Sequence, residues 1–192
     1  MSADDETVQV RRVSDGELVV NLTGHKGGVS SIAFSPDGRL LATASREIGR
    51  IWSVYNGELV SEMTSLGRIE NIAFSPDGRF VSTSAVAWDN FVQIRRIYDG
   101  QLIGEWNADY GGITDFSFLP DGFVAIAAYD EYSDDEFIAI WRISDGKLVS
   151  KLDEGLSINF PPDGSFSAII LDPGLRSLPF VRIWGRPGLQ TI

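Results

Sequence analysis

The chain has 192 residues, 43% hydrophobic and 22% charged, with 16 Lys and Arg against 27 Asp and Glu and a formal net charge of −11. That length permits a sizeable core in one or two domains, and that charge disfavours nonspecific binding to nucleic acid or an anionic membrane. Cysteine is absent, which excludes disulfides and thiolate chemistry, and no apolar run approaches the roughly 20 residues of a membrane span. The start, Met1-Ser2-Ala3-Asp4-Asp5-Glu6, is polar and acidic, unlike a signal peptide. A soluble protein, expected in the cytoplasm, follows. Its acidity reads first as solvated surface and second as a docking face for a basic partner.

In chain order, residues 7–13 alternate like a strand into Ser14-Asp15-Gly16, and residues 18–22 read as the returning strand. This pair has no upstream partner in the sequence and reads as the second half of a repeat. Gly27-Gly28 then opens a loop before a strand at 29–34. There the Ser31-Ile32-Ala33-Phe34 run has the unbroken character of a strand buried on both faces. Strands follow at 40–44, 50–54 and 58–62, the last more polar and so outermost. The same set is expected at 69–74, 80–84, 91–97 and 101–105, then at 113–118, 123–128, 137–143 and 147–152. A last set at 156–160, 165–171 and 180–184 ends on residues 188–192, at most a short fourth strand. Helical periodicity of useful length is absent, so an all-β fold is expected.

Two series of turns punctuate these strands. Phe34-Ser35-Pro36-Asp37-Gly38 and Phe74-Ser75-Pro76-Asp77-Gly78 are identical. Phe118-Leu119-Pro120-Asp121-Gly122 and Phe160-Pro161-Pro162-Asp163-Gly164 differ by one residue each, and the four glycines step by 40, 44 and 42 residues. An offset series runs Asp15-Gly16, Asn56-Gly57, Asp99-Gly100 and Asp145-Gly146. Two interleaved series mean two hairpins per repeat, and these residue types suit the positive φ values of type I′ turns. Four antiparallel strands per period of roughly 40 residues is the pattern of β-propeller blades; a parallel solenoid would have a shorter period.

Gly24-His25, the Phe-Ser-Pro-Asp-Gly turns and Ile51-Trp52 at the end of a third strand together resemble the WD-repeat β-propellers. The resemblance covers nearly the whole chain. Propellers of the TolB and peptidase-associated kind share the turn, and Trp52, Trp141 and Trp184 ending third strands favour the WD-repeat family. It implies one propeller domain or segment over 1–192, with a half repeat at 5–23 and repeats at approximately 24–64, 65–107, 108–152 and 153–192. In that family a His before the first strand, a Ser or Thr on the second, an Asp in the second hairpin and the third-strand Trp form a structural hydrogen-bond network. Carried across, this implies structural roles for His25, Ser45, Trp52, Asp89, Asp135, Trp141 and Trp184. No repeat has the full set: Arg11 and Arg95 stand in the Trp position, Gly67 lacks a following His, and Tyr110-Gly111 replaces Gly-His. The hairpin at 46–49 lacks the Asp and is one residue short. Stability is therefore expected to rest on apolar packing between blades, with few networks closed.

His25, the single histidine, is read as structural, bonded to Ser45 or Trp52; with no Cys and no triad order it is no catalytic base. A lone His without clustered carboxylates is no metal site either. Residues 129–136 carry five carboxylates in eight positions. A solvated insertion, a basic-peptide contact and a weak calcium site are all open readings, and the regular spacing of an EF-hand loop is absent. Trp88, in the matching hairpin of the second repeat, is either an exposed anchor or packing against a neighbouring blade. Trp88, Asp130, Glu131 and Asp134 are the candidate partner-binding residues. Arg11-Arg12 and Arg95-Arg96 read as repeated salt-bridge partners.

The resemblance implies a non-catalytic protein–protein interaction scaffold whose blade loops face protein or peptide partners, without cofactor, nucleic acid or membrane. One alternative is the propeller portion of an enzyme, TolB-like or peptidase-associated. Another is a self-associating fragment that closes a ring as a homo-oligomer, since the repeats fall short of the family's usual seven blades or so. An open ring would expose apolar faces and free strand edges.

Overall fold

The computed structural model describes residues 6–86, 91–107, 111–119, 122–130, 136–152, 157–159, 166–171 and 180–185. Strands β1 (Val8–Arg11) and β2 (Leu18–Leu22) form a two-stranded sheet. Strands β3 (Ser31–Phe34), β4 (Leu40–Ser45), β5 (Ile48–Ser53) and β6 (Leu59–Thr64) form a four-stranded sheet in chain order. So do β7 (Arg68–Phe74), β8 (Phe80–Val86), β9 (Phe91–Arg96) and β10 (Leu102–Asn107), and again β11 (Gly111–Leu119), β12 (Phe123–Asp130), β13 (Glu136–Arg142) and β14 (Lys147–Leu152). A three-stranded sheet holds β15 (Ser157–Asn159), β16 (Phe166–Leu171) and β17 (Phe180–Gly185). The all-β expectation and its strand order hold among the described residues, and residues 188–192 lie outside them. The chain forms two compact units, one built on β1–β8 with most of β9 and β10, the other on β11–β17.

In the first unit, β4 is the strand buried on both faces: Leu41 and Thr43 on one side, Ala42 and Ala44 on the other, are at most 1% exposed. Small residues there let neighbouring sheets approach closely. β3 does not share that burial. Ile32 and Phe34 are 56% and 53% exposed, against the expectation for Ser31-Ile32-Ala33-Phe34. The cause lies next door. Leu22 packs on Leu41 and Trp52, with Val8, Val10, Val20 and Val54 around them, so β1 and β2 cover the half of the sheet near β5 and β6. On the other face, β3, β4 and β5 pack against β7. Ser30 Oγ donates to the Ile69 carbonyl at 2.7 Å, and Ile72 N donates to Ser31 Oγ at 3.2 Å.

The core of the second unit gathers Ala125, Ala127 and Ile138, with Leu119 and Ile140 against them. Gly112 sits opposite Tyr129 in the β11–β12 register, and a Cβ there would lie 2.3 Å from the Tyr129 ring. Tyr129 and Asp130 belong to β12 and Glu136 to β13, so the acidic stretch read as one loop is partly strand.

Neither turn series is type I′. That turn needs positive φ at both central residues, whereas only the glycine of each described pair has it, for example Gly38 at 70° and Gly16 at 73°. In the first series Gly38 N donates to the Ser35 carbonyl, and in the second Gly16 N donates to the Arg12 carbonyl. The Asp or Asn instead accepts from the backbone two residues on, as Asp37 does from Arg39 N and Asp15 from Glu17 N. Among the described residues, the one non-glycine at positive φ is Arg46, at 53°, in the short Arg46-Glu47 turn between β4 and β5.

Candidate functional site

The best-defined polar site is buried where β4 and β5 meet β1. Trp52 lies opposite Leu41 in the β4–β5 register, so Thr43, two residues along β4, is the nearest hydroxyl on that face. Trp52 Nε1 donates to Thr43 Oγ1 at 2.8 Å, and His25 Nε2 lies 2.9 Å from the same oxygen. His25 Nδ1 is 3.3 Å from the Glu6 carbonyl. One tautomer satisfies every group: the Thr43 hydroxyl donates to Nε2, and Nδ1–H donates to Glu6. The His25 and Trp52 rings are 5.4 Å apart, and His25 is 1% exposed. Burial pushes the imidazole below its ordinary pKa; the Glu6 carbonyl opposes this, and the nearby Arg50 charge reinforces it. Thr43 thus joins His25 and Trp52, and the bond of His25 to Ser45 or Trp52 expected from the sequence is not the one made.

Ser45 works elsewhere. It lies two residues beyond Thr43, roughly 13 Å from the Trp52 register position at about 3.3 Å per residue, and its hydroxyl donates to the Gly27 carbonyl at 3.1 Å. That bond ties the loop before β3 to the end of β4. The same end is laced further: Ser65 N donates to the Glu47 carbonyl and Ile69 N to the Arg46 carbonyl, both at 2.8 Å. Sequence reasoning missed Thr43, Glu6 and an ion pair on the same face, in which buried Arg50 Nε donates to the exposed Glu62 carboxylate at 2.8 Å. The alternation of β4 puts Thr43 and Ser45 on one face, and only the register with β5 separates them. A main-chain carbonyl such as that of Glu6 leaves no sequence signal.

The other repeats vary this position. Arg95 fills the Trp slot in β9, reaching the Gly100 carbonyl at 3.3 Å, and its buried Nε has no hydrogen-bond partner. Trp141 lies opposite Val124, as Trp52 does opposite Leu41, but two residues on stands Ile126, so no hydroxyl awaits it there. Trp141 instead packs on Trp106, ring centroids 6.0 Å apart. Trp184 takes the matching register position opposite Ser167. Asp89 and Asp135 lie outside the described residues, as do Trp88, Glu131 and Asp134. Asp130 is placed by its backbone alone, opposite Gly111. Among the described residues, no group of three or more His, Cys, Asp or Glu side chains is placed to hold a metal ion.

Residues 16–53 and 57–95 match the family model described as WD domain, G-beta repeat. An uncharacterized WD repeat-containing protein of Synechocystis is 34% identical over 165 residues, which are 83% of this chain and 46% of that protein. The Periodic tryptophan protein 2 homolog of Neurospora crassa is 41% identical over 66 residues, 34% of this chain and 7% of its own length. The chain thus spans less than half the length of either relative. Among solved structures, the β-propeller domain of Cps50 (Swd1) from Myceliophteria thermophila superposes with a TM-score of 0.68 at 11% identity, over 89% of this chain and 61% of that one. Hydrazine synthase of Kuenenia stuttgartiensis gives 0.67 at 13% identity, over 93% and 56%. At these identities the structural likeness speaks for the fold alone.

Proposed function

Because the chain belongs to the WD-repeat β-propeller family, we propose that it is a non-catalytic scaffold presenting blade loops to protein or peptide partners. The observation that carries this reading is the lacing of the loop end of β3–β6. Gly27, Glu47 and Arg46 carbonyls take bonds from Ser45, Ser65 and Ile69, so three loops hold fixed relative positions. Recognition residues concentrate on loops held by a rigid scaffold. The second-hairpin loops, with Trp88, Asp130, Glu131 and Asp134, are the proposed contacts, and their acidity favours a basic segment. We place the chain in the cytoplasm with no cofactor; its net charge of −11 argues against nucleic acid or membrane as partner.

Selection from a random peptide library tests this. The expected result is enrichment of Lys- and Arg-rich peptides, weakened about tenfold by Trp88→Ala or by the triple change Asp130→Asn, Glu131→Gln and Asp134→Asn. Enriched peptides indifferent to both sets of changes would sink the loop assignment.

A further inference from the structure

The turns β1–β2, β5–β6, β9–β10 and β13–β14 share one backbone. In each, the glycine N–H donates four residues back, Gly16 to Arg12, Gly57 to Ser53, Gly100 to Arg96 and Gly146 to Arg142, at 2.8–2.9 Å. The four glycines have φ between 64° and 73°. Three of the turns carry the same ion pair: Arg12 meets Asp15 at 2.9 Å, Arg96 meets Asp99 at 2.6 Å and Arg142 meets Asp145 at 3.1 Å. The guanidinium takes further partners where its neighbours allow. Arg12 also reaches the Glu17 carboxylate at 2.9 Å. Arg96 donates to Gln101 and lies over the Tyr98 ring, 4.6 Å from its centroid.

The β5–β6 turn, Ser53-Val54-Tyr55-Asn56-Gly57-Glu58, keeps the acceptors without the arginine. Ser53 stands where Arg12, Arg96 and Arg142 stand, Tyr55 matches Tyr98, and Glu58 matches Glu17. Asn56 replaces the aspartate, so the carboxylate of this turn is that of Glu58. Tyr55 is 93% exposed, and Glu58 is exposed as well. Among the described residues, the cations stacked on aromatic rings are Arg79, Arg96 and Lys151, on Phe80, Tyr98 and Phe137, so none covers Tyr55. Arg39 lies on the adjoining turn, where its carbonyl takes the Val54 N–H, but its guanidinium is 3.8 Å from Asp37. The turn itself is firmly held. Ser53 N donates to the Glu58 carbonyl at 2.9 Å and Glu58 N to Asn56 Oδ1 at 3.2 Å. A Cβ on Gly57 would lie 2.5 Å from Val20 Cγ2, so the turn rests on β2. An aromatic ring on a turn so fixed costs little entropy to engage.

We infer that Tyr55 and Glu58 form a seat for an arginine side chain of a protein partner. The ring face takes the guanidinium by cation–π stacking, and the carboxylate accepts its N–H groups. The sister turns show the chemistry of the occupant, because there Arg96 stacks on the matching tyrosine and Arg12 meets the matching glutamate. Arginine fits better than lysine, since one planar guanidinium can stack and bond edge-on at the same time. The net charge of −11 draws a cationic segment towards the chain. β5 runs from the Arg46-Glu47 hairpin to this turn, so the seat lies at the other end of its sheet from the second-hairpin loop. It stands whichever of those loops bind a partner.

The test is NMR of the Tyr ring protons in the intact chain, titrated with the capped tripeptide Gly-Arg-Gly. Weak, saturable shifts are expected at Tyr55, and Gly-Lys-Gly should bind about threefold more weakly. Tyr98 is the internal control: it already lies under Arg96 and should stay in place. Ser53→Arg supplies the guanidinium from the chain itself and should weaken the tripeptide about fivefold, while Glu58→Gln should weaken it about twofold. Glu58 is exposed, so that variant keeps the test open even if Ser53→Arg fails to fold. Equal binding of the two tripeptides, shifts at Tyr98 as large as those at Tyr55, or unchanged binding in Glu58→Gln would overturn the seat. Shifts at Tyr55 on concentrating the chain alone would overturn the partner as source, because another copy would then supply the arginine.

Discussion

Thr43 decides how the one fully described network of this chain closes, because a single hydroxyl oxygen serves both Trp52 Nε1 and His25 Nε2. Thr43→Val keeps the shape but leaves both nitrogens without their partner, at a cost of about 2–3 kcal/mol. Thr43→Ser should restore most of it, and Ser45→Ala should cost about 1 kcal/mol through the Gly27 bond. Urea unfolding followed by Trp fluorescence orders the three; equal losses for Thr43→Val and Ser45→Ala would reverse the assignment. His25 sets a pH dependence. Its folded pKa lies below its unfolded value of about 6.5, so the unfolded chain binds the proton more readily. The stability His25 contributes is therefore complete above about pH 6.5 and is lost as pH falls below it, towards the folded value. The melting temperature should drop between pH 7.5 and 5.5 in the parent and drop less in His25→Gln; parallel curves would exclude His25 as the cause.

At the scale of elements, the repeated turn explains its own sequence. Ser35 and Ser75 are buried, and each donates to the following Asp, at 2.6 Å, while accepting from Leu40 N or Phe80 N at 2.9 Å. Pro36 and Pro76 sit where a turn favours fixed φ, and the glycines take positive φ. Ser75→Ala removes an acceptor for Phe80 N and a donor to Asp77, costing about 1–2 kcal/mol by denaturant titration. Asp77 is held below its ordinary carboxylate pKa: burial works against this, but Ser75, Arg79 N–H and the Arg79 guanidinium outweigh it. Its stabilising contribution is present above the ordinary value of about 3.9 and is lost as pH falls through the lowered one. The outer strands carry a second lesson. Val19, Val60 and Val149 were read as ordinary strand residues, yet the register passes over each one and leaves them 43%, 51% and 49% exposed. Val60→Thr should cost less than about 0.5 kcal/mol; a loss above 1 kcal/mol would mean that the bulge is covered.

For the whole molecule, the exposed Ile32 and Phe34 predict that the native chain binds a hydrophobic dye such as ANS, and that Ile32→Lys/Phe34→Lys lowers the signal at least about twofold. An unchanged signal would place the apolar surface elsewhere. The sequence alone determined the all-β fold and the strand order within each repeat. Those features are written in local chemistry: turn residues at fixed spacing, period-two side chains and a Trp or Arg at one strand end. His25 and Trp52 stand in the sequence as Gly24-His25 and Ile51-Trp52. Tertiary structure alone decided that Thr43 and not Ser45 joins them, that β4 and not β3 is covered on both faces, and that a main-chain carbonyl completes the network. Each depends on which residue stands opposite which, and on how far a neighbouring sheet extends. Burial is a property of what packs across a strand, and the residues of that strand do not encode its neighbour.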